Sequence, residues 1–239
     1  MKKLHFVLAS FLIVFAISNL YSQNQITVHV TGGYDLPMQD FKGTIGSDTN
    51  NYVQKSGFNI GADGKYYLGK KRNVGITVSL SYNGFTSGTY TYPDGSTLIY
   101  KINIFAAGLG VEYAFSPKGK ANPFIGAEFT GNFFSGSSTF TTSGGAATET
   151  SVNSASRFGV QFNGGVDIKF SKGVGAVIGI RYNLANLIGK KYDTTTTNIN
   201  LNDASYTSSS GISVNAKNIG YLQFYGGVAF FFGQPKRMK

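Results

Sequence analysis

The apolar segment at residues 220–233 constrains the fold more than any other stretch of the chain. It reads Gly-Tyr-Leu-Gln-Phe-Tyr-Gly-Gly-Val-Ala-Phe-Phe-Phe-Gly, and apolar side chains recur at every second position. A period of two places these side chains on one face of a β-strand and leaves small or polar residues on the other face. A strand this long and aromatic would promote aggregation at the open edge of a sheet. The segment therefore predicts a sheet that closes on itself, with this strand at the closure. The alternating residues are Leu222, Phe224, Val228, Phe230 and Phe232.

Seven earlier segments alternate in the same way, so the sequence predicts an all-β fold with eight strands. We expect an antiparallel, up-and-down transmembrane β-barrel. A ten-stranded barrel stays open as an alternative, because residues 184–217 have room for a hairpin between 198–201 and 211–214. The other predicted strands are residues 25–34, 56–68, 73–85, 98–115, 123–134, 157–170 and 174–183.

The fourth of these segments changes parity along its length. Tyr100, Ile102 and Ile104 share one parity, whereas the apolar residues after Gly108 fall on the other. One extra residue in a strand, a β-bulge, would produce such a change, and glycine is common at bulges. We therefore expect a bulge within residues 106–108.

The connections between the predicted strands alternate in length. Residues 69–72, 116–122 and 171–173 form short links, whereas 35–55, 86–97, 135–156 and 184–217 form long ones. Short turns at one end and long loops at the other are typical of outer-membrane barrels, with the turns in the periplasm. The long loops are rich in Ser, Thr, Asn and Gly, and we expect residues 139–150 and 194–197 to be solvated loop. The basic residues expected at the short-turn end are Lys70, Lys71, Arg72, Lys118, Lys120, Lys172, Lys236, Arg237 and Lys239.

Aromatic residues recur near both ends of the predicted strands, where girdles line the two membrane interfaces of such barrels. The expected lower girdle is Tyr66, Tyr113, Phe115, Phe124, Phe170 and Phe232, and the expected upper girdle is Tyr82, Phe85, Phe133, Phe158 and Tyr182.

The first residues are typical of a cleaved secretory signal peptide. Lys2 and Lys3 precede an apolar run at residues 6–17, which is too short to span a bilayer. We predict a signal peptide at 1–22, a barrel domain at 23–233 and a short basic periplasmic tail at 234–239. Cleavage would leave 19 of the 21 basic and all 11 acidic residues, a net charge of +8. On an exported chain, this charge favours an anionic membrane surface or glycan over nucleic acid as a partner.

Together these features resemble the small outer-membrane β-barrel proteins of the OmpA/OmpX-like superfamily. The start at Gln23, the Tyr/Phe/Gly/Asn-rich strands and the basic tail are most similar to Bacteroidetes proteins of the outer membrane protein beta-barrel domain, or porin-family, type. Many proteobacterial barrels end on the last aromatic of the final strand, whereas seven residues follow Phe232 here. The resemblance implies residence in the Gram-negative outer membrane, contact with its lipid and lipopolysaccharide, and handling by the barrel-assembly machinery during biogenesis.

Charged residues of both signs fall on the inward parity. Because the interior of an eight-stranded barrel is just wide enough for side chains, such charges can pair and fill it. We expect a lumen charge network with Glu128 and Arg181 as its central pair, meeting across the lumen. A conducting path is the alternative. The predicted network is Asp63, Lys65, Lys101, Glu112, Glu128, Asp167, Lys169 and Arg181.

The residues offer little for catalysis or for a cofactor. His29 is the one histidine left after the predicted cleavage, and no serine or acid motif accompanies it. With no cysteine, the chain has no disulfide and no thiolate metal site. Asp35, Asp40 and Asp48 lack the spacing of an EF-hand calcium loop. We therefore predict no catalytic, cofactor-binding or metal residues, and we expect His29 to be a hydrogen-bonded residue of the lumen.

The expected function is that of a non-enzymatic outer-membrane protein. It would have a structural or interaction role through its extracellular loops, which would bind a surface glycan or a protein partner. Alternatives are a small pore for ions or small solutes, an accessory subunit of an outer-membrane secretion or assembly complex, and an enzyme acting on lipid A.

Overall fold

The structure is a computed structural model that describes residues 26–48, 51–69, 71–171, 173–194, 198–208, 211 and 213–233. The predicted signal peptide, the basic tail, Lys70, Lys172 and residues 195–197 of the predicted solvated loop lie outside the described residues, so those predictions stay predictions. The long strands are β1 Ile26–Met38, β2 Ser56–Leu68, β3 Val74–Thr86, β4 Thr97–Ala114, β5 Ala121–Thr141, β6 Ala147–Lys169, β7 Val174–Ile188 and β8 Gly220–Phe232. A 3-10 helix, Gln39–Phe41, and two-residue strands at Tyr90–Thr91, Tyr206–Thr207 and Ser213–Val214 complete the described elements. Within these ranges, no helix is long and apolar enough to cross a membrane.

The eight long strands form a closed antiparallel barrel. Each pairs with its neighbours along the chain, and β8 pairs with both β7 and β1. The last pairing runs from Ile26 opposite Phe232 to Met38 opposite Gly220, which removes the open edge. The predicted eight-stranded barrel and its closing strand are confirmed.

The ten-stranded alternative is wrong. The last long loop does contain a hairpin, but it joins Tyr206–Thr207 to Ser213–Val214 in a separate two-stranded sheet. Ile199 instead forms a parallel bridge to Val152 of β6. These pairings lie above the barrel and leave its strand number at eight.

Alternation along each strand separates an apolar outer surface from a polar interior. In β3, Val78 is 53% exposed and Leu80 is 54% exposed, whereas Ser79 and Ser81 are buried. The assignment to the girdles is wrong for Phe85 and Phe124, which are each only 2% exposed. Both share the inward parity of their strands, so their rings fill the interior instead of facing lipid.

The expected bulge in β4 is wrong. The strand keeps an unbroken register with β3 and β5 from Lys101 to Tyr113. Ile102 and Ile104 are buried inside, and Leu109 is exposed outside. The change in pattern therefore reflects a change in what the interior contains, because the interior is apolar near the long loops and polar below them.

The expected loop at residues 135–156 is wrong, since β5 and β6 continue as a hairpin with a turn at residues 142–146. Their pairing extends from Ala121 opposite Ile168 to Thr141 opposite Ala147. Threonine suits extended backbone, and the ladder satisfies the backbone groups that a loop would leave to water. A register shift between Phe134 and Gly136 marks the point where the hairpin leaves the barrel. We call the part beyond this shift the projecting hairpin.

Candidate functional site

The lower interior of the barrel contains a buried ion pair. Nζ of Lys65 lies 2.7 Å from Oε2 of Glu112, and the Tyr67 hydroxyl donates a 2.6 Å hydrogen bond to Oε1 of the same carboxylate. The Lys65 ammonium also lies 3.4 Å from the centre of the Phe124 ring. Strands β2 and β4 position these groups on either side of β3, whose inward Gly75 has no side chain to separate them.

His29 lies between two carboxylates at nearly the same level. Its Nδ1 is 2.9 Å from Oδ2 of Asp63, and its Nε2 is 3.0 Å from Oδ1 of Asp167. Asp63 faces His29 directly in the β1–β2 register, whereas Asp167 reaches it from β6 across the lumen. Both nitrogens donate only when the imidazole carries two protons. The side chain is 1% exposed, which is typical of a structural histidine.

The expected central pair between Glu128 and Arg181 is wrong. Nη2 of Arg181 lies 3.5 Å from Oδ1 of Asp63, and its guanidinium lies 4.8 Å from the Tyr225 ring centre. Glu128 accepts a hydrogen bond from the Ser79 hydroxyl and a 2.7 Å bond from the Gln161 amide. Gln161 lies directly opposite Glu128 on β6. Ser79 of β3 reaches Glu128 over Gly108 of β4, which has no side chain to separate them.

Two other members of the predicted charge network lie apart from it. The inward assignment of Lys101 is wrong, because its side chain is exposed while the neighbouring Ile102 faces inward. Lys169 is half-buried at the short-turn end, where its Nζ donates a 2.7 Å hydrogen bond to the Pro117 carbonyl. The structure brings together the remaining six, with His29 among them: Asp63, Lys65, Glu112, Glu128, Asp167 and Arg181.

A layer of amide side chains lies nearer the long loops. Asn59 donates to Asp35 at 2.6 Å, Gln223 donates to Asn83 at 2.6 Å, and Asn183 donates to Gln223 at 3.1 Å. We did not predict this layer. Its signal in the sequence is the recurrence of Asn and Gln at inward positions of several strands, which a search for charged residues overlooks.

An apolar cluster, here called the cap, lies at the long-loop end of the barrel. Phe41 comes from the first loop and Leu201 from the last, and both pack onto inward residues of the strands. The Phe41 and Phe85 ring centres are 4.7 Å apart, and the Tyr52 hydroxyl donates a 2.7 Å hydrogen bond to the Leu201 carbonyl. The first and the last long loop therefore pack against each other at this end of the barrel. The cap consists of Phe41, Phe85, Ile102, Ile104, Phe134, Ala185, Leu201, Ile219 and Tyr221.

Asp203 fastens the last loop over the cap. Its carboxylate accepts two 2.8 Å hydrogen bonds from Arg157 of β6, one of 2.9 Å from Asn186 and one of 2.9 Å from the Lys191 backbone N–H. Burial alone would raise the pKa of Asp203, but these hydrogen bonds hold that pKa below its ordinary value. Sequence reasoning missed Asp203, because no local motif distinguishes it from an ordinary loop aspartate.

The chain matches one known protein family and is similar to several solved structures. The sequence model of the family described as outer membrane protein beta-barrel domain matches residues 7–204. Among curated proteins, none matches the chain in sequence. Neisserial surface protein A is similar at 13% identity, with 86% of this chain and 96% of that one covered and a TM-score of 0.47. The N-terminal barrel domain of Pseudomonas aeruginosa OprF is similar at 12% identity, with 88% of this chain and 98% of that chain covered and a TM-score of 0.41. The attachment invasion locus protein Ail of Yersinia pestis is similar at 10% identity, with 87% of this chain and 99% of that chain covered and a TM-score of 0.40. That protein was crystallised with the heparin analogue sucrose octasulfate.

Proposed function

Since the chain belongs to the outer membrane protein beta-barrel domain family, we propose that it is a non-enzymatic barrel that displays an interaction surface outside the cell. Its location is the outer membrane. The lumen is a structural filling rather than a conduit, and the working surface is formed by the long loops and the projecting hairpin. Outer-membrane lipid and lipopolysaccharide surround its outer face, and the barrel-assembly machinery handles it during biogenesis.

The filled lumen is the observation that supports this proposal. The ion pair of Lys65 and Glu112, the His29 carboxylate contacts, the amide layer and the cap follow one another from the short-turn end to the long loops. A hydrated ion would have to break several of these buried polar contacts, which is costly in a low-dielectric interior. A permanently open path is therefore disfavoured.

The projecting hairpin supplies a rigid part of the proposed surface. Residues 137–141 and 147–151 stay paired beyond the barrel, and Tyr90–Thr91 adds a short strand beside Thr97 and Leu98. Tyr92, Pro93, Asp94, Ser96 and Phe140 line a cleft of about 380 Å³ on this sheet. Aromatic faces beside hydroxyl and carboxylate groups suit a surface glycan or a protein loop, and a rigid frame lowers the entropic cost of binding either.

Planar-bilayer conductance of the refolded chain, residues 23–239, tests the filled lumen. A heat-dependent shift in gel mobility first confirms that the barrel has folded. We expect no discrete channel steps from the folded protein. Reproducible steps would overturn the proposal and favour the pore.

Binding to an array of bacterial surface glycans tests the cleft. We expect Phe140→Ser to weaken the binding of any glycan that the unsubstituted protein binds. Glu149→Gln, whose exposed side chain lies on the opposite face of the same hairpin from Phe140, serves as the matched control and should leave binding unchanged. Equal binding by all three proteins would exclude the cleft as the contact surface.

A further inference from the structure

The short-turn end of the barrel carries exposed charge of one sign. Lys71 in the first turn and Lys118 and Lys120 in the second are all exposed. All 11 acidic residues of the chain lie within the described ranges, and the two near this end, Glu112 and Asp167, are only 2% and 1% exposed. Both face inward, toward Lys65 and His29 respectively. They therefore leave the exposed lysines without an acidic neighbour on the surface.

The opposite end of the barrel shows that this asymmetry does not simply follow from the basic composition. There, Asp94 and Glu149 are exposed, as are Lys42, Lys55 and Lys191. Charges of both signs are mixed on that surface, so its net field is weaker. Only the short-turn end presents a uniformly basic surface among the residues that the structure describes.

The depth of the lysines relative to the apolar outer surface indicates what they contact. Leu68 and Phe115 are the last outward apolar residues before the first two turns, and they are 43% and 55% exposed. Lys71 and Lys118 each follow three residues later. At roughly 3.3 Å per residue, the lysine backbones lie within about 10 Å of the hydrocarbon edge. Lipid headgroups occupy about 5–7 Å on each side of the core, and a flexible lysine side chain reaches back into that layer.

We propose that Lys71, Lys118 and Lys120, here called the basic ring, bind the phosphates of anionic phospholipids in the periplasmic leaflet. Short turns of such barrels lie in the periplasm, and basic residues beside a membrane attract anionic headgroups. Lys169 is not part of the ring, because its ammonium is engaged by the Pro117 carbonyl. The surface is distinct from the loop surface proposed above, so the two proposals stand or fall separately.

Lipid retention measured by native mass spectrometry tests the proposal on the folded chain. The protein is released from micelles that contain equal amounts of phosphatidylglycerol and zwitterionic phosphatidylcholine. We expect severalfold more bound phosphatidylglycerol than phosphatidylcholine. The triple variant Lys71→Gln, Lys118→Gln, Lys120→Gln should lose this preference, whereas arginine at the same three positions should keep it.

The matched control removes the same charge from the other end, with Lys42→Gln, Lys55→Gln and Lys191→Gln. This variant should keep the preference for phosphatidylglycerol. Equal retention of the two lipids by the unsubstituted protein would overturn the proposal, as would equal losses in the two glutamine variants. Gel mobility reports folding for each variant. If the glutamine triple variant fails to fold, the unsubstituted protein is measured at 0.1 M and at 1 M salt instead. The ratio of bound phosphatidylglycerol to bound phosphatidylcholine should then fall, because the screening length contracts from about 10 to about 3 Å. A ratio that does not fall would also overturn the proposal.

Discussion

Nζ of Lys65 and Oε2 of Glu112 are 2.7 Å apart inside the barrel, and neither side chain has appreciable contact with solvent. Strand β3 lies between the strands that carry them, so the pair joins β2 to β4 across it. A buried ion pair is stable only when both partners are present, because a single remaining charge has no water to solvate it. The pair therefore couples neighbouring parts of the wall through the interior.

Removing one partner of this pair should destabilise the barrel more than removing both. We expect Lys65→Met to cost about 3–5 kcal/mol, because it leaves Glu112 buried and unpaired. The double variant Lys65→Met, Glu112→Leu should recover much of that loss. Urea unfolding of the refolded barrel, followed by gel mobility, measures both values. If the double variant lost as much free energy of unfolding as Lys65→Met and Glu112→Leu lose together, the two side chains would not be coupled.

An arginine on the outward face should destabilise the protein in the membrane. Val78 lies in the middle of β3 with its side chain outside, so Val78→Arg should cost about 2–4 kcal/mol in a lipid bilayer. Thr148→Arg, on the exposed projecting hairpin, is the control and should cost much less. Reversible unfolding from lipid vesicles compares the two. Similar costs would mean that Val78 does not face hydrocarbon.

Gly108 should be sensitive to the smallest side chain. A β-carbon at this position would collide with the carboxylate of Glu128 and the hydroxyl of Ser79. Gly108→Ala should therefore cost about 1–3 kcal/mol. At Gly131, a β-carbon would meet only the Phe158 ring, at 3.9 Å, so Gly131→Ala provides a matched control. If thermal unfolding monitored by gel mobility gave equal losses, the loss would reflect backbone effects rather than the Glu128 contact.

The attachment of the last loop should weaken in acid. The lowered pKa of Asp203 means that its stabilising effect is present above the ordinary aspartate value of about 3.9 and is lost as pH falls through the folded-state value. Hydrogen exchange at the hydrogen-bonded amides of Ala204 and Ile219, corrected for intrinsic rates, should show protection that declines in this acidic range. Asp203→Asn should remove most of that protection at neutral pH, whereas Glu149→Gln should not. Unchanged protection in Asp203→Asn would show that other contacts hold the loop.

Much of the fold could be predicted because the alternation of residue types within a single strand shows which side chains face outward and which face inward. In β3, the alternation of Val78 and Leu80 with Ser79 and Ser81 specifies both the strand and its two faces. Short connections then order the strands along the wall. The projecting hairpin was mispredicted as loop, because its Ser and Thr residues have no apolar face to reveal the period.

The sequence by itself determined the barrel, its apolar outer face and the supply of inward charge, since these follow from a period of two within single strands. Only the tertiary structure decided which inward groups meet: His29 with Asp167, Arg181 with Asp63 and Asp203 with Arg157. It also decided that Ile102 faces inward and Lys101 outward, because Phe41 and Leu201 bring an apolar filling from distant loops. The physical reason is that contacts across a lumen depend on side-chain length, on gaps left by glycines and on loop closure. None of these properties is periodic along the chain.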